Sequence, residues 1–294
     1  MKSLQCSEAE TLRVNGGKMR ERLIWLVMAV AAVVPALGSP IFVNLNTSSS
    51  FGLLGGTISN TGTSVVTGNV GVKDAAGTIS GFNPTGTTVG GSVITPGNTL
   101  SNNAYTDFVS AFNAAELMAS TQSYADLTLD RTFIGNNVYT FTQTNISTTT
   151  GITLTFDAQD DPNEIFVIRT DGAFTENGAL TFNLTHQAQA DNIFWIVGTI
   201  ATISVGSSPP ITWDGNILAG QSFTMSAASG GSGVLAGTID GCVFAETANT
   251  LAGTTNVSGC SSSAASVPEP GSSGLVSLGC LLGILAWRKL RGSL

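Results

Sequence analysis

A cluster of four carboxylates offers the most obvious chemistry in this 294-residue chain: Asp157, Asp160, Asp161 and Glu164. Carboxylate oxygens gathered in a turn can bind Ca²⁺. The spacing does not match an EF-hand loop, however, and the Asp-Pro-Asn run at 161–163 is typical of a solvent-exposed turn. We therefore expect an acidic turn here, with calcium binding as the alternative.

Few other side chains could support a reaction. His186 is the only histidine, at the expected surface end of a strand, and no hydrolase constellation surrounds it. No Cys/His cluster has metal-binding spacing, and no glycine-rich phosphate loop precedes a helix. Cys242 and Cys260 could form a disulfide in an exported protein; two free thiols are one alternative, and a metal site is disfavoured because His186 is far away in sequence. We predict no catalytic residue, metal or cofactor.

The charge of the central region excludes several classes of partner. Between residues 39 and 266 only three basic residues, Lys73, Arg131 and Arg169, face fifteen acidic ones, a net charge of −12. Such a surface offers no counterion release to nucleic acid and repels other anions. A polysaccharide-active enzyme, which needs carboxylates and basic residues on one face, is disfavoured for the same reason.

The N-terminal residues resemble an export signal. An apolar run at 23–34 follows Arg20 and Arg22 and precedes small residues at 35–38. This order is typical of a secretory signal peptide, here 1–38 with cleavage after Gly38, and the run is short for the alternative, a transmembrane anchor. Met19 lies directly before the basic residues, so residues 1–18 are a candidate for a mis-assigned start.

The C-terminal residues 267–294 carry a second signal. An apolar run at 274–287 is followed by a basic tail and preceded by the motif Val267, Pro268, Glu269 and Pro270. The arrangement resembles the PEP-CTERM sorting signal of bacteria. That resemblance implies cleavage by an exosortase and transient membrane insertion through the apolar helix; an ordinary C-terminal anchor is the alternative. Either interpretation places the central region outside the cytoplasm.

Between these signals an apolar strand pattern recurs. It begins at Val138, Ile165 and Ile193, at spacings of 27 and 28 residues. A repeat of this length predicts a β-solenoid over 39–245, whose repeats bury their apolar sides by stacking. The predicted first strands are 138–142, 165–169, 193–197 and 216–219; the second are 145–149, 174–177, 201–205 and 223–227; the third are 152–156, 180–184, 211–213 and 234–239. Three strands per repeat predict a triangular cross-section.

One helix interrupts the strands. Apolar residues at steps of three and four from Tyr105 to Ala119 predict an amphipathic helix over 102–119, with Ser101 as its N-cap. We expect it to pack alongside the solenoid; the alternative is that it separates two domains. Residues 246–266, rich in Ser, Thr, Gly and Ala, are typical of a flexible linker.

The second strands present the surface best suited to binding. Their alternation turns Ile146, Phe174, Ile203 and Phe223 inward. It turns eight small polar residues outward: Asn145, Ser147, Thr175, Asn177, Thr202, Ser204, Thr224 and Ser226. Glu176 would point inward, so we expect a bulge or turn there rather than a buried carboxylate. Parallel strands lie about 4.7–4.9 Å apart, close to an oxygen repeat of ice, and rigid threonines at this spacing could hold ice-like water.

Other segments resemble a known family. The run Phe-Gly-Leu-Leu-Gly-Gly-Thr-Ile-Ser-Asn-Thr-Gly at 51–62 and the run Asn-Ile-Phe-Trp-Ile-Val-Gly at 192–198 are similar to those of microbial ice-binding proteins. Further similar segments, in the same order, are 66–72, 79–82, 125–128, 137–141, 161–168 and 215–219. The resemblance implies a mainly β fold, a right-handed β-solenoid of triangular cross-section with one long helix packed alongside. It also implies adsorption to ice without catalysis, through the flat face to which we assign the second strands.

We therefore expect an exported protein, secreted or attached to the cell surface, whose partner is an ice crystal surface. A non-catalytic structural or adhesive component of the cell surface or exopolysaccharide matrix is the alternative, since the sorting signal also suits it. The run after residue 237 departs from the family pattern, so the last repeat and the Cys242/Cys260 pair are expected to be local additions.

Overall fold

A computed structural model describes residues 41–82, 86–148, 151–176, 180–205, 210–227 and 235–260. These residues form 21 β-strands, one α-helix and two short 3-10 helices. Every strand pair among them is parallel. The fold is therefore mainly β, as the sequence predicted.

The N-terminal segment contains five strands that follow a 3-10 helix over Asn46–Ser50. They are β1 (Phe51–Asn60), β2 (Val65–Thr67), β3 (Asn69–Val72), β4 (Ile79–Ser80) and β5 (Thr87–Val89). The first is long enough to pair with two different strands, since its first half pairs with β3 and its second half with β4.

Helix α1 spans Thr99–Glu116 rather than the predicted 102–119. Its N-cap is Asn98, not Ser101, because the Asn98 side chain accepts a 2.8 Å hydrogen bond from the Leu100 N–H. The helix buries Phe108, Phe112 and Ala115 on one side, as the periodicity predicted, and also Ala104 and Ala111.

The region after the helix repeats three strand positions. The first-position strands are β6 (Gln122–Tyr124), β8 (Asn137–Phe141), β11 (Phe166–Thr170), β14 (Ile193–Val197) and β17 (Asn216–Ala219). The second-position strands are β9 (Asn145–Thr148), β12 (Ala173–Glu176), β15 (Ile200–Val205) and β18 (Ser222–Ala227). The third-position strands are β7 (Arg131–Ile134), β10 (Ile152–Asp157), β13 (Leu180–Thr185), β16 (Ile211–Asp214) and β19 (Leu235–Asp240). All twelve predicted strands are present, and no end differs from its prediction by more than one residue.

Two further strands, β20 (Val243–Ala252) and β21 (Thr254–Val257), complete the chain order. They occupy most of the predicted linker, so that prediction is wrong for 246–260. Although Ser, Thr, Gly and Ala dominate this run, its alternation buries Leu251, Thr255 and Val257 against the neighbouring repeats. Regular pairing, rather than composition, decides the structure here.

The strands stack into three parallel ladders. The first ladder runs β6-β8-β11-β14-β17-β20-β1-β3, and the second runs β9-β12-β15-β18-β20-β1-β4. The third consists of two sheets, β7-β10-β13 and β16-β19-β21-β2-β5. The N-terminal segment thus stacks on the last repeat of the chain, through β1 and β20. The alternative of two domains separated by the helix is therefore wrong.

Two apolar clusters hold the ladders and the helix together. One lies between the ladders and centres on aromatic side chains, where the Trp195 and Trp213 ring centroids are 4.8 Å apart. The other lies between the first ladder and α1, and includes Phe108, Phe194 and Phe244. The first ladder is therefore buried on both sides, which leaves the second and third ladders to face solvent.

The Arg169 guanidinium fixes the C-terminal end of α1. It donates to the carbonyl oxygens of Glu116 and Met118, the latter at 2.8 Å, and to Thr140 Oγ1 at 3.1 Å. A cation at this end also opposes the negative pole of the helix dipole. The helix is thereby fastened to β8 and β11, and Ala119, predicted in its apolar stripe, lies exposed beyond its end.

The two predicted signals, 1–38 and 267–294, lie outside the described residues, as does the end of the predicted linker. None of the helices formed by the described residues is both long and apolar enough to cross a membrane.

Candidate functional site

The second ladder positions the predicted polar array as the alternation required. Ile146, Phe174, Ile203 and Phe223 point inward and are almost completely buried. Asn145 and Ser147 are exposed, and Thr175, Thr202, Ser204, Thr224 and Ser226 are half-buried on the outer side. Asn177 lies outside the described residues.

Strand register aligns the threonines in one row. Ser147 is opposite Thr175, Thr175 is opposite Thr202, and Thr202 is opposite Thr224. Neighbouring parallel strands lie about 4.8 Å apart, so the row places one hydroxyl group at each such interval. No bulge interrupts the pairing from β9 to β18, because the register advances one residue at a time in every pair.

The same row continues into residues that sequence reasoning missed. Thr224 is opposite Thr250 on β20, Thr250 is opposite Ser59 on β1, and Ser59 is opposite Ser80 on β4. We call the seven residues the central row: Ser147, Thr175, Thr202, Thr224, Thr250, Ser59 and Ser80. Thr250 was assigned to a linker, and no local signal linked residues 59 and 80 to a strand that lies so far along the chain.

The rows beside the central row are less polar. On one side the outward residues are Asn145, Ala173, Ile200, Ser222, Ala248 and Thr57. On the other side Ser204, Ser226 and Ala252 are aligned. Ile200 is 41% exposed, because its neighbours Ala173 and Ser222 are too small to cover it. Along the described strands from β12 to β20 these outward positions hold no charged side chain. We call the surface formed by the central row and these two flanking rows the second face.

Glu176 corrects one prediction. It lies within β12, pairs regularly with Thr148 and Ile203, and is fully buried. The expected bulge or turn is therefore wrong, and the carboxylate does point inward. The regular pairing on both sides sets the alternation, and a single acidic residue does not displace it.

The third ladder also carries threonines but differs in charge and continuity. Thr212 is opposite Thr238, and Thr153 is opposite Thr181. Within the described residues its two sheets are separated between β13 and β16. Carboxylates end several of its strands, and Asp214 is opposite Asp240. Burial, together with the charge of Asp240, raises the pKa of Asp214 to about 6.

The carboxylate cluster forms a hydrogen-bonded turn. Asp161 accepts hydrogen bonds from the backbone N–H and the side-chain amide of Asn163, at 2.9 and 3.0 Å. Asp157 accepts one from the Gln159 N–H at 2.8 Å and lies 3.0 Å from His186 Nδ1. Over the residues that the structure describes, no three His, Cys, Asp or Glu side chains are arranged to hold a metal ion.

Cys242 and Cys260 are joined by a disulfide, with Cα atoms 4.7 Å apart. The bond encloses β20 and β21, the repeat on which the N-terminal segment stacks. It lies beside the apolar cluster under α1, away from the central row.

Comparison with known proteins identifies the family that has this architecture. A family model described as Ice-binding-like matches residues 53–257, from β1 to the end of β21. The chain belongs to this ice-binding-like family. An ice-binding protein of Nostoc sp. (strain HG1) is 33% identical over 182 residues. That alignment covers 62% of this chain and 63% of the Nostoc protein, so the chain spans less than two thirds of that relative's length.

Solved ice-binding proteins have the same fold. The one from the Antarctic ascomycete Antarctomyces psychrotrophicus matches with a TM-score of 0.62 and 26% identity, over 76% of this chain and 100% of that one. One from an Antarctic biological consortium matches with a TM-score of 0.61 and 24% identity, over 77% and 95% of the two chains. A second family model, the PEP-CTERM protein-sorting motif, matches residues 266–291 and indicates export and sorting to the surface.

Proposed function

We propose that this chain is an exported, non-catalytic protein that adsorbs to ice through its second face. We further propose that the three ladders wind as a right-handed β-solenoid of triangular cross-section, with α1 against its first side. The observation that carries the proposal is the central row, an unbroken line of hydroxyl groups on seven paired strands, beside whose threonines the described part of the chain has no charged side chain.

The chemistry of the central row suits a crystalline partner. A β-branched threonine is stiff at χ1, and a residue half-buried between equal neighbours loses little further freedom on contact. The strand spacing of about 4.8 Å repeats one hydroxyl group per strand, with a methyl group beside it at the four threonines, close to an oxygen repeat of ice. A flexible or charged surface would keep its own hydration, because removing water from a charge is costly.

The sorting motif supports a processing route for the same protein. Export would deliver the chain across the membrane, the apolar run at 274–287 would insert transiently, and an exosortase would cleave near the motif at 267–270. The product would be released or attached to the cell surface. A non-catalytic structural or adhesive role in the surface or exopolysaccharide matrix is a second candidate, which the sorting motif favours equally.

Ice adsorption can be tested directly on residues 39–266. At micromolar concentration the protein should shape a growing ice crystal and slow recrystallisation. Thr202→Tyr and Thr224→Tyr should reduce either effect roughly tenfold or more, because one bulky ring holds a rigid face away from a flat crystal. Both variants should keep the melting temperature of the parent protein, since the substituted side chains point outward.

Thr212→Tyr on the third ladder provides the matched control, because it also places a ring on an outward threonine. It should leave activity unchanged. Unshaped crystals and normal recrystallisation with the parent protein would remove ice binding and favour the matrix role. Equal loss from Thr212→Tyr would mean that the wrong face has been chosen.

A further inference from the structure

The second face is continuous only if the N-terminal segment stacks in one register on β20. Pairing of β1 with β20 shifts between Gly55 and Thr57 and is regular from Thr57 to Asn60. The side-chain period of a strand is two, so a slip of one residue would exchange the two sides. Ser59 would then turn inward, and Ile58, now buried, would face solvent.

A buried asparagine lies at this junction. Asn249 is 1% exposed and occupies an inward position where the next strand has Phe223. Its amide nitrogen donates a 2.8 Å hydrogen bond to the carbonyl oxygen of Leu54, directly before the register shift. A buried amide is costly unless it is hydrogen-bonded, so this bond favours one placement of β1 over its neighbours.

The shape of β1 matches this side chain. A Cβ atom on Gly55 would lie 2.7 Å from the Asn249 amide nitrogen, and one on Gly56 would lie 2.4 Å from the Thr247 carbonyl oxygen. Both glycines therefore provide the space in which β20 and the amide approach β1. The bond and the space for it occur together at the one irregular point of the junction.

We infer that Asn249 is a positioning residue for ice contact: it sets the register that aligns Ser59 and Ser80 with Thr250. This inference rests on the proposed function. With the N-terminal segment in register the central row spans seven strands, about 29 Å, whereas the five strands β9, β12, β15, β18 and β20 alone span about 19 Å. Contacts added on a rigid scaffold carry little extra ordering cost. Ser59 and Ser80 therefore strengthen adsorption, although neither lies near the threonines of the central row in sequence.

Asn249→Leu tests the inference in the exported protein. Leucine has a similar volume and suits the apolar neighbours, so a merely structural role predicts unchanged activity near 0 °C. A positioning role predicts a several-fold loss of recrystallisation inhibition. Phe223→Leu is the matched control, because it alters the same inward row on the neighbouring strand but keeps Asn249 and its hydrogen bond to Leu54, and it should keep full activity.

A double-variant cycle separates positioning from general loosening. Ser80→Tyr, on the exposed end of the row, should reduce activity several-fold, whereas Thr87→Tyr on the neighbouring strand β5 of the third ladder should not. Once Asn249→Leu has displaced the register, Ser80→Tyr should add no further loss. In the Phe223→Leu background it should keep its full effect.

The outcomes distinguish this inference from the proposed function. Full activity of Asn249→Leu, or losses that simply add to those of Ser80→Tyr, would overturn the positioning role while Thr202→Tyr still abolished ice binding. Insensitivity to Thr202→Tyr would overturn the proposed function itself. If Asn249→Leu failed to fold, Ser59→Tyr and Ser80→Tyr would still test whether the N-terminal segment contacts ice. Normal activity in both variants would exclude that contact and overturn the inference.

Discussion

The second and third ladders are both rich in threonine, yet they form very different surfaces. Over the residues that the structure describes, the second pairs without a gap from β9 to β4 and has no charged outward residue beside its threonines. Within the described residues the third is divided between β13 and β16, and its strands end at Asp157, Asp214 and Asp240. Hydroxyl content alone therefore does not identify a binding face. We propose that continuity and absence of charge do.

The largest effect should come from placing a charge on the uncharged face. Thr224→Asp introduces a carboxylate in the middle of the central row, whose hydration a contacting crystal would have to displace. We expect ice shaping to disappear while the melting temperature changes little. Recrystallisation assays on Thr224→Asp and on Thr181→Asp, an exposed position of the third ladder, check the comparison.

Thr181→Asp should behave as the parent protein. If both variants retained activity, charge would not be what separates the two ladders. If both lost it, the crystal would contact the third ladder as well, and its division into two sheets would not matter.

Local pattern was enough to predict most of this architecture. The strands from 138 to 239 follow from an apolar period and from alternation, which are properties of each repeat on its own. The central threonines followed from the same alternation, because Phe174 and Phe223 had to point inward. Where the apolar residues of a repeat are enough to form its buried side, the sequence of that repeat predicts its strands.

The rest depended on pairing between distant segments, which leaves no local signal. Nothing near Ser59 indicates that it lies beside Thr250, 191 residues away, because that contact exists only once β20 is in place. Residues 246–260 contain few large apolar side chains, so their composition indicated a linker. Their burial comes instead from pairing with β18 and β1. Glu176 was misjudged for a related reason: its neighbours in the ladder fix its direction.

A second, smaller effect concerns the last repeat, whose strand β20 belongs to the second ladder and whose strand β21 belongs to the third. The disulfide between Cys242 and Cys260 closes a loop of sequence separation 18 that contains β20 and β21. Loop-closure entropy predicts a contribution of about 3 kcal/mol to the free energy of unfolding. The double substitution Cys242→Ser with Cys260→Ser should lower the melting temperature by roughly 10 °C.

Thermal unfolding with and without reductant measures this contribution. Reductant should lower the melting temperature of the parent protein and leave that of the double variant unchanged. Ice activity near 0 °C should survive in part, since β9, β12, β15 and β18 do not depend on the bond. An unchanged melting temperature would mean that strand pairing alone holds the last repeat.

The smallest effect should come from the charge of the third ladder itself. Burial raises the pKa of Asp214 to about 6, from an ordinary value of 3.8. A raised carboxyl pKa means that the folded state binds the proton more tightly than the unfolded state, so stability is greatest below about pH 4 and falls as the pH rises to about 6. The full shift would correspond to about 3 kcal/mol, which partial exposure and solvent screening reduce to about 1 kcal/mol.

Asp214→Asn should therefore raise the melting temperature by roughly 3 °C at pH 7 and have no effect at pH 4. Ice activity should not follow this titration, because Asp214 lies on the third ladder; a parallel change in activity between pH 4 and pH 7 would instead place the contact there.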